Sequence, residues 1–257
     1  MSKVKKFRII SYKSVTKLAL KIKNVSKSFD GMPVLQNLNL NIFPGSINGL
    51  LGENGTGKTT LFNLILGTLK PDKGEIFAKS NALISSMPIH ERCKKFKIAY
   101  VPQRTSLFSG LSCIDNIKGI AELMMRDGRK IDEKCDQLLT EFSLLDVAKI
   151  KANDLSGGQR KKLSIARSLI GDPEILLLDE IFSALAPKVI ESIKNIIVNL
   201  QTSRKSLSIL VSDHIYSHIL DLSDTVHILS DGLIIKSQKP ADIIKDTEAR
   251  KVYFGDI

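Results

Sequence analysis

Tryptophan is absent from the 257-residue sequence, and cysteine is scarce: Cys93, Cys113 and Cys135 are the only three. They are widely spaced and form no C-x-x-C pair, which supports neither a disulfide framework nor a zinc site; free thiols in a reducing compartment are expected. No apolar run approaches the ~18 residues needed to span a bilayer. Ile9-Ile10 follows a basic start but is too short for the core of a secretory signal. Internal repeats and low-complexity tracts are also missing. These absences point to a cytoplasmic globular protein. Acidic residues are absent from residues 1–17, where Lys3, Lys5, Lys6, Arg8, Lys13 and Lys17 supply +6 of the net +11 and leave +5 on the remaining chain. A short basic tail before a mildly basic body is no nucleic-acid footprint by itself. It would suit an anionic membrane surface, and is expected to be a solvated, flexible extension.

With 43% hydrophobic and 25% charged residues, the chain has the makings of a substantial core in one large α/β domain or two modest ones. It is organised around Gly52-Glu53-Asn54-Gly55-Thr56-Gly57-Lys58-Thr59, a complete G-x-x-x-x-G-K-[ST] phosphate-binding pattern. Ile47 to Leu51 reads as a buried strand before it. Leu61, Leu64 and Ile65 follow at helical spacing until Lys70-Pro71. Strand, glycine loop and helix form the context this motif requires. The glycines let backbone N–H groups turn inward as a nest for anionic oxygens, and the following helix aims its positive end at the same place. Lys58 can reach terminal phosphates and the Thr59 hydroxyl can take one position on magnesium.

The domain is expected to begin near Leu18 with an alternating strand, a turn over Ser26–Gly31, and a second strand through Leu38, Leu40 and Ile42. Phe29 on that turn has two readings, a ring stacked on a nucleotide base or a core residue. Ile98–Val101 reads as a strand ending at Pro102-Gln103. From Leu107 to about Leu155 the pattern is helical and loop-rich, an insert in the α/β core. Ser156-Gly157-Gly158-Gln159 opens a helix and makes a second anion site by the physics of the first. Ile175–Leu178 is continuously apolar, as in a parallel strand covered on both faces, and delivers Asp179-Glu180 where open α/β sheets place ligand contacts. Asp179 can hold magnesium, and Glu180 can activate water as general base. Gln103 can contact the metal or attacking water, and His214, at another strand end, can hydrogen-bond a terminal phosphate. His90, His218 and His227 read as surface or packing residues. Residues 225–235 read as a hairpin and 241–252 as a last helix.

Phosphate loop, Gln103, Leu155-Ser156-Gly157-Gly158-Gln159, Asp179-Glu180 and His214, in that order, resemble the ATPase subunit of an ABC transporter over about residues 18–257. The resemblance implies a P-loop NTPase (RecA-like) α/β core with an antiparallel β subdomain and a helical subdomain at about 104–165. It implies ATP and Mg as ligands, a head-to-tail homodimer, and a role for the dimer under two transmembrane permease subunits. Each ATP would lie between the 52–59 loop and Thr60 of one subunit and Ser156, Gly157, Gly158 and Gln159 of the other. Phe29 falls where the family places its adenine-stacking aromatic. Direct contact with nucleic acid is not expected, and the protein would be peripheral on the cytoplasmic face of the inner membrane.

Within the family the chain looks most like the lipopolysaccharide-export subgroup. Met87-Pro88-Ile89-His90-Glu91-Arg92, Ser106-Leu107-Phe108 with Leu111-Ser112, and Arg250-Lys251-Val252-Tyr253-Phe254-Gly255 carry that likeness. Phe108 would line the groove that receives a coupling helix of the membrane subunits. Branched-chain amino acid importer ATPases share much of this style and are the rival reading; a soluble regulatory or nucleic-acid-associated ABC ATPase is a more distant one. Two positions depart from the family pattern. Ile181 stands where proline usually follows the glutamate, and Ser183-Ala184-Leu185-Ala186 ends in alanine where the family has an aspartate that helps link the two ATP sites.

Overall fold

Residues 18–254, apart from Ser80 and Thr105, are described by a computed structural model. The basic stretch 1–17 and residues 255–257, Gly255 among them, lie outside the described residues. Strand β1 (Leu20–Phe29) turns into β2 (Met32–Ile42) through Asp30-Gly31 alone. The expected turn over residues 26–31 is thus shorter than the polar composition suggested. Asp30 at φ 49° and Gly31 at φ 79° make a two-residue turn of the hand that matches strand twist, so pairing continues to Phe29↔Met32. Strand β3 (Ile47–Leu51), buried at all five positions, leads to helix α1 (Lys58–Leu66).

Helix α1 does not run to Lys70-Pro71 as its apolar pattern suggested. Gly67 ends it in the left-handed region at φ 92°, its N–H donating to Asn63 O at 2.9 Å, the usual glycine stop. Then come β4 (Lys73–Ala78), β5 (Ala82–Leu83), α2 (Ile89–Phe96) and β6 (Ile98–Val101). The helical stretch holds α3 (Cys113–Met124) and α4 (Gly128–Glu141). It is followed by α5 (Gly157–Ser168), β7 (Ile175–Leu178), α6 (Pro187–Ser203), β8 (Ser208–Asp213) and α7 (Tyr216–Leu220). The hairpin β9 (Thr225–Ser230) and β10 (Leu233–Gln238) precedes α8 (Pro240–Ile243) and α9 (Thr247–Ala249). The single last helix expected over 241–252 is therefore broken. Asp246 accepts hydrogen bonds from Glu248 N and Ala249 N and starts a new helix there, and residues 250–254 widen into a π turn.

Among the described residues the strands form two sheets, β2-β1-β4-β5 and β10-β9-β3-β8-β7-β6. The first is antiparallel. In the second, β9, β3, β8, β7 and β6 run parallel and β10 returns antiparallel. One apolar cluster packs the helices α3 to α6 around the parallel sheet, and the other joins α1 to the antiparallel sheet. All three cysteines are free, as their spacing implied. The parallel alignment brings the C-terminal ends of β3, β6, β7 and β8 to one rim of the sheet.

His227 on β9 is not merely a packing residue. Only 2% of it is exposed, and its ring sits between Ser237 Oγ at 2.8 Å and Asn48 Oδ1 at 3.3 Å. Burial pushes its pKa down from 6.5 to about 4. The unfolded chain therefore binds this proton more readily, and the stability present above pH 6.5 is lost as pH falls towards 4. At 1.36 kcal/mol per unit the loss is on the order of 3 kcal/mol. Thermal unfolding followed from pH 7 to 4 should show a declining Tm, with a shallower decline in His227→Gln.

Candidate active site

Four loops meet at the rim of the parallel sheet. The glycine loop leaves β3 with Glu53, Asn54 and Gly55 exposed and returns into α1 at Gly57. Gly57 adopts φ 104°, and a Cβ there would lie 2.7 Å from Leu35 Cδ2, so only glycine fits both the backbone and the strand beneath. Thr56 Oγ1 donates to Glu53 O at 2.9 Å, tightening the loop. Lys58 is 4% exposed. Its Nζ donates to Gly52 O at 2.7 Å and Glu53 O at 2.9 Å, and lies 3.2 Å from Glu180 Oε1. Thr60 follows Thr59 in the first turn of α1, half-buried.

Asp179, just beyond β7 and 1% exposed, accepts three hydroxyl hydrogen bonds. Thr59 Oγ1 at 2.8 Å and Tyr100 OH at 3.1 Å share Oδ2, while Ser212 Oγ at 2.6 Å takes Oδ1. Burial, then the neighbouring Asp179 charge, pushes the Tyr100 phenol well above its ordinary range, so Tyr100 remains a donor. Glu180 sits in the left-handed region at φ 43°, an uncommon and strained setting for a non-glycine residue. Its N–H donates to Ser212 Oγ at 3.1 Å. Gln103 Nε2 donates to Glu180 Oε2 at 2.7 Å. Lys58, Thr59, Gln103, Asp179 and Glu180, picked from three separate stretches of sequence, thus form one connected group.

His214 lies beyond β8, its Nδ1 3.5 Å from Asp213 Oδ1. Asp213 is buried and also accepts from His214 N and Ile215 N. His218 Nδ1 lies 3.2 Å from Asp213 Oδ2 and its ring packs edge-on to Phe182, so His218 belongs to the floor of this loop, not to a surface apart from it. Sequence reasoning missed two further hydroxyls here, Tyr100 and Ser212. It also missed Tyr253, whose OH donates to His214 O at 2.6 Å. The change from the apolar run Ile209-Leu210-Val211 to the polar pair Ser212-Asp213 at the strand end was the signal for Ser212; no spacing marked Tyr253.

Phe29, at the end of β1, is 42% exposed, with Lys27 Nζ 5.4 Å from its ring centroid; it presents an open aromatic face. Ser156 caps α5, its Oγ accepting from Gln159 N while Gln159 Oε1 accepts from Ser156 N. Gly157 and Gly158 form the first turn. A Cβ on Gly158 would lie 2.5 Å from Val189 Cγ1 on α6. Among the described residues no hydrogen bond or ion pair joins Ser156–Gln159 to residues 52–60. Phe108 is half exposed, beneath the Arg167 guanidinium at 5.3 Å.

Both departures from the expected pattern have structural correlates. Ile181 is fully buried in the core around the parallel sheet. Ala186 is the N-cap of α6 and offers no side-chain cap. Ala186→Asp would supply an acceptor for the first-turn amides of that helix, and about 1 kcal/mol of stability is expected. A Tm raised by about 2–4 °C, together with faster phosphate release, is the expected result; release unchanged or slowed would show that the missing carboxylate does not limit turnover.

The oxygen-rich pair Thr59 and Asp179 suits magnesium, a hard cation that takes one or two protein oxygens and fills its remaining positions with phosphate and water.

Residues 35–183, more than half of the chain, match the family profile described as ABC transporter. The sequence is 33% identical over 237 residues to the lipopolysaccharide export system ATP-binding protein LptB of Acidithiobacillus ferridurans, covering 92% of this chain and 97% of that protein. It is 35% identical over 240 residues to the protein of the same name from Escherichia coli K12, with the same coverage. Of solved structures, cbiO1 from Clostridium perfringens, part of the ABC transporter complex cbiONQ, superposes with a TM-score of 0.82 at 27% identity, covering 91% of this chain and 94% of that one. The dimeric post-hydrolysis ATP-binding cassette MJ0796, bound to ADP and Pi, gives 0.77 at 27% identity, covering 86% and 98%.

Proposed function

This chain belongs to the ABC transporter family of ATP-binding proteins and is an ATPase, and from that premise we propose that it is the motor subunit of a lipopolysaccharide exporter. It would work as a homodimer, peripheral on the cytoplasmic face of the inner membrane, beneath two transmembrane permease subunits whose coupling helices meet the groove at Phe108. The observation that carries the export reading is the near-complete alignment with proteins named for lipopolysaccharide export, at 33–35% identity over 92% of this chain. Among the described residues no helix is long and apolar enough to cross a membrane, which fits separate membrane subunits.

In this reading the amides of residues 52–57 and the α1 N-terminus hold the β- and γ-phosphates, and Lys58 takes the terminal charge. A γ-phosphate competes with Glu180 for the Lys58 ammonium, which frees the Glu180 carboxylate to accept a proton from the attacking water. Gln103 Nε2 orients that carboxylate, and His214 hydrogen-bonds the γ-phosphate. Thr59 and Asp179 would hold magnesium, which supplies charge neutralisation at the phosphates. Phe29 stacks on the adenine, and the Ser156–Gln159 turn of the second subunit closes over the nucleotide. ATP binding then closes the dimer to the extent that ATP binds the closed state more tightly.

The test is partner capture. Glu180→Gln protein would be expressed in its host, membranes solubilised in mild detergent with ATP, and co-purifying proteins identified. Two related membrane subunits with a large extracytoplasmic domain are expected. Small multispanning permeases with a periplasmic binding protein would replace export with import, and recovery with ribosomes or nucleic acid alone would end the transport reading.

A further inference from the structure

Lys161 lies on α5, five residues beyond the Ser156 cap, and is only 5% exposed. Its Nζ crosses to the loop after β6 and donates to the backbone oxygen of Gln103 at 2.8 Å. That carbonyl is the one hydrogen-bond acceptor it finds among the described residues, although an ammonium has three protons to give. Burial lowers its pKa, partly offset by the facing Asp179 and Glu180 charges. A buried ammonium with a single acceptor is a costly way to hold two elements together, and an apolar side chain would pack α5 against β6 more cheaply. What the lysine adds is direction. It fixes the carbonyl of the residue whose own side chain donates to Glu180 Oε2 at 2.7 Å, and the other Glu180 oxygen lies 3.2 Å from Lys58 Nζ. A continuous polar path therefore runs from α5 through Lys161, Gln103 and Glu180 to Lys58 of the glycine loop.

We propose that Lys161 is a positioning residue for ATP hydrolysis, acting through Gln103 to hold Glu180 in its working orientation and making that orientation depend on where α5 sits. The helix that carries Ser156–Gln159 at its N-terminus thereby reports its position to the hydrolytic group of its own subunit. The inference rests on the roles given above to Glu180 and Gln103, and deepens them.

The test is a double-mutant cycle on the full chain with ATP as the probe, comparing Lys161→Met, Lys161→Arg, Gln103→Ala and Lys161→Met/Gln103→Ala. Active fraction is fixed by the stoichiometry of ATP binding, so a partly misfolded preparation is normalised out. Lys161→Met should lower kcat about 10-fold while the Kd for ATP moves less than about 2-fold, the mark of lost alignment and not lost binding. Lys161→Arg, which restores a donor, should recover most of that loss. The double variant should be no slower than Gln103→Ala, because the lysine acts through the glutamine. Wild-type kcat in Lys161→Met, a fall that arginine does not rescue, or strictly additive losses would each overturn the proposal. Wild-type kcat in Gln103→Ala would remove the role of Gln103 and the proposal with it, a failure distinguishable because it needs no lysine variant.

Discussion

Glu180→Gln should cut steady-state phosphate release by about 100-fold or more, since removing a general base typically costs about 10²–10⁴ in rate. ATP binding should survive. The amide oxygen can still accept from Gln103 Nε2, and the Glu180 backbone stays anchored through its N–H to Ser212 Oγ. Lys58 loses its ion pair with Glu180 but keeps its bonds to Gly52 O and Glu53 O, so the glycine loop retains its shape. The changed quantity is therefore kcat, with little change in ATP affinity, and an ATP-dependent dimer should accumulate on size exclusion. Release at the wild-type rate would take Glu180 out of the hydrolytic role.

The largest expected loss of stability comes from Arg92→Met. Arg92 on α2 is wholly buried, and burial lowers its pKa only to about 10, so it stays charged at neutral pH. Its Nη1 donates to Leu64 O at 2.6 Å and Ile65 O at 2.8 Å, its Nε to Met87 O at 2.7 Å and its Nη2 to Ser85 O at 2.9 Å. Leu64 and Ile65 lie in the last turn of α1, where carbonyls lack intrahelical partners and a cation is favourable. Methionine would fill the space but strand four carbonyls. A cost on the order of 3–5 kcal/mol is expected, or a Tm lower by about 10 °C. Lysine should rescue poorly, because a point-like ammonium cannot reproduce the fork. Gly67 takes part from the other side: a Cβ there would lie 2.7 Å from Arg92 Nε. A Tm within about 2 °C of wild type in Arg92→Met would refute this account.

The motif residues were legible because each chemical demand is local. A glycine loop between strand and helix, an acidic pair after Ile175–Leu178 and a glutamine after Val101 each place a side chain at a strand end, and the parallel register collects the ends at one rim. Strand and helix types followed from apolar period. The errors fell at boundaries, where a single residue outweighs the pattern: Gly67 stops α1 early, Asp246 restarts a helix inside residues 241–252, and Asp30-Gly31 needs only two residues to turn. Other omissions have a different cause. Tyr100, Ser212, Tyr253 and Arg92 act through contacts spanning 27 to 79 positions, and no spacing within the sequence announces such a pair. His218 was the reverse case, only five residues from Asp213, its partner, yet read as a surface or packing residue because histidine spacing carries little information by itself.

The sheet order also governs how the chain comes into being. Strand β3 finds its neighbours in β8 and β9, so Ile47 pairs with Ile209 and Asn48 with Thr225. During synthesis at about 5–20 residues per second, the five residues of β3, all buried in the finished fold, wait many seconds for strands that have not yet been made. Non-local pairing of this kind is slow and leaves edges open to aggregation. The rim that gathers Lys58, Asp179 and His214 cannot exist before residue 214 has left the ribosome. Nucleotide binding by nascent chains arrested at successive lengths would therefore mark the moment the central sheet closes, and ATP, binding only what is complete, would favour the finished fold by mass action.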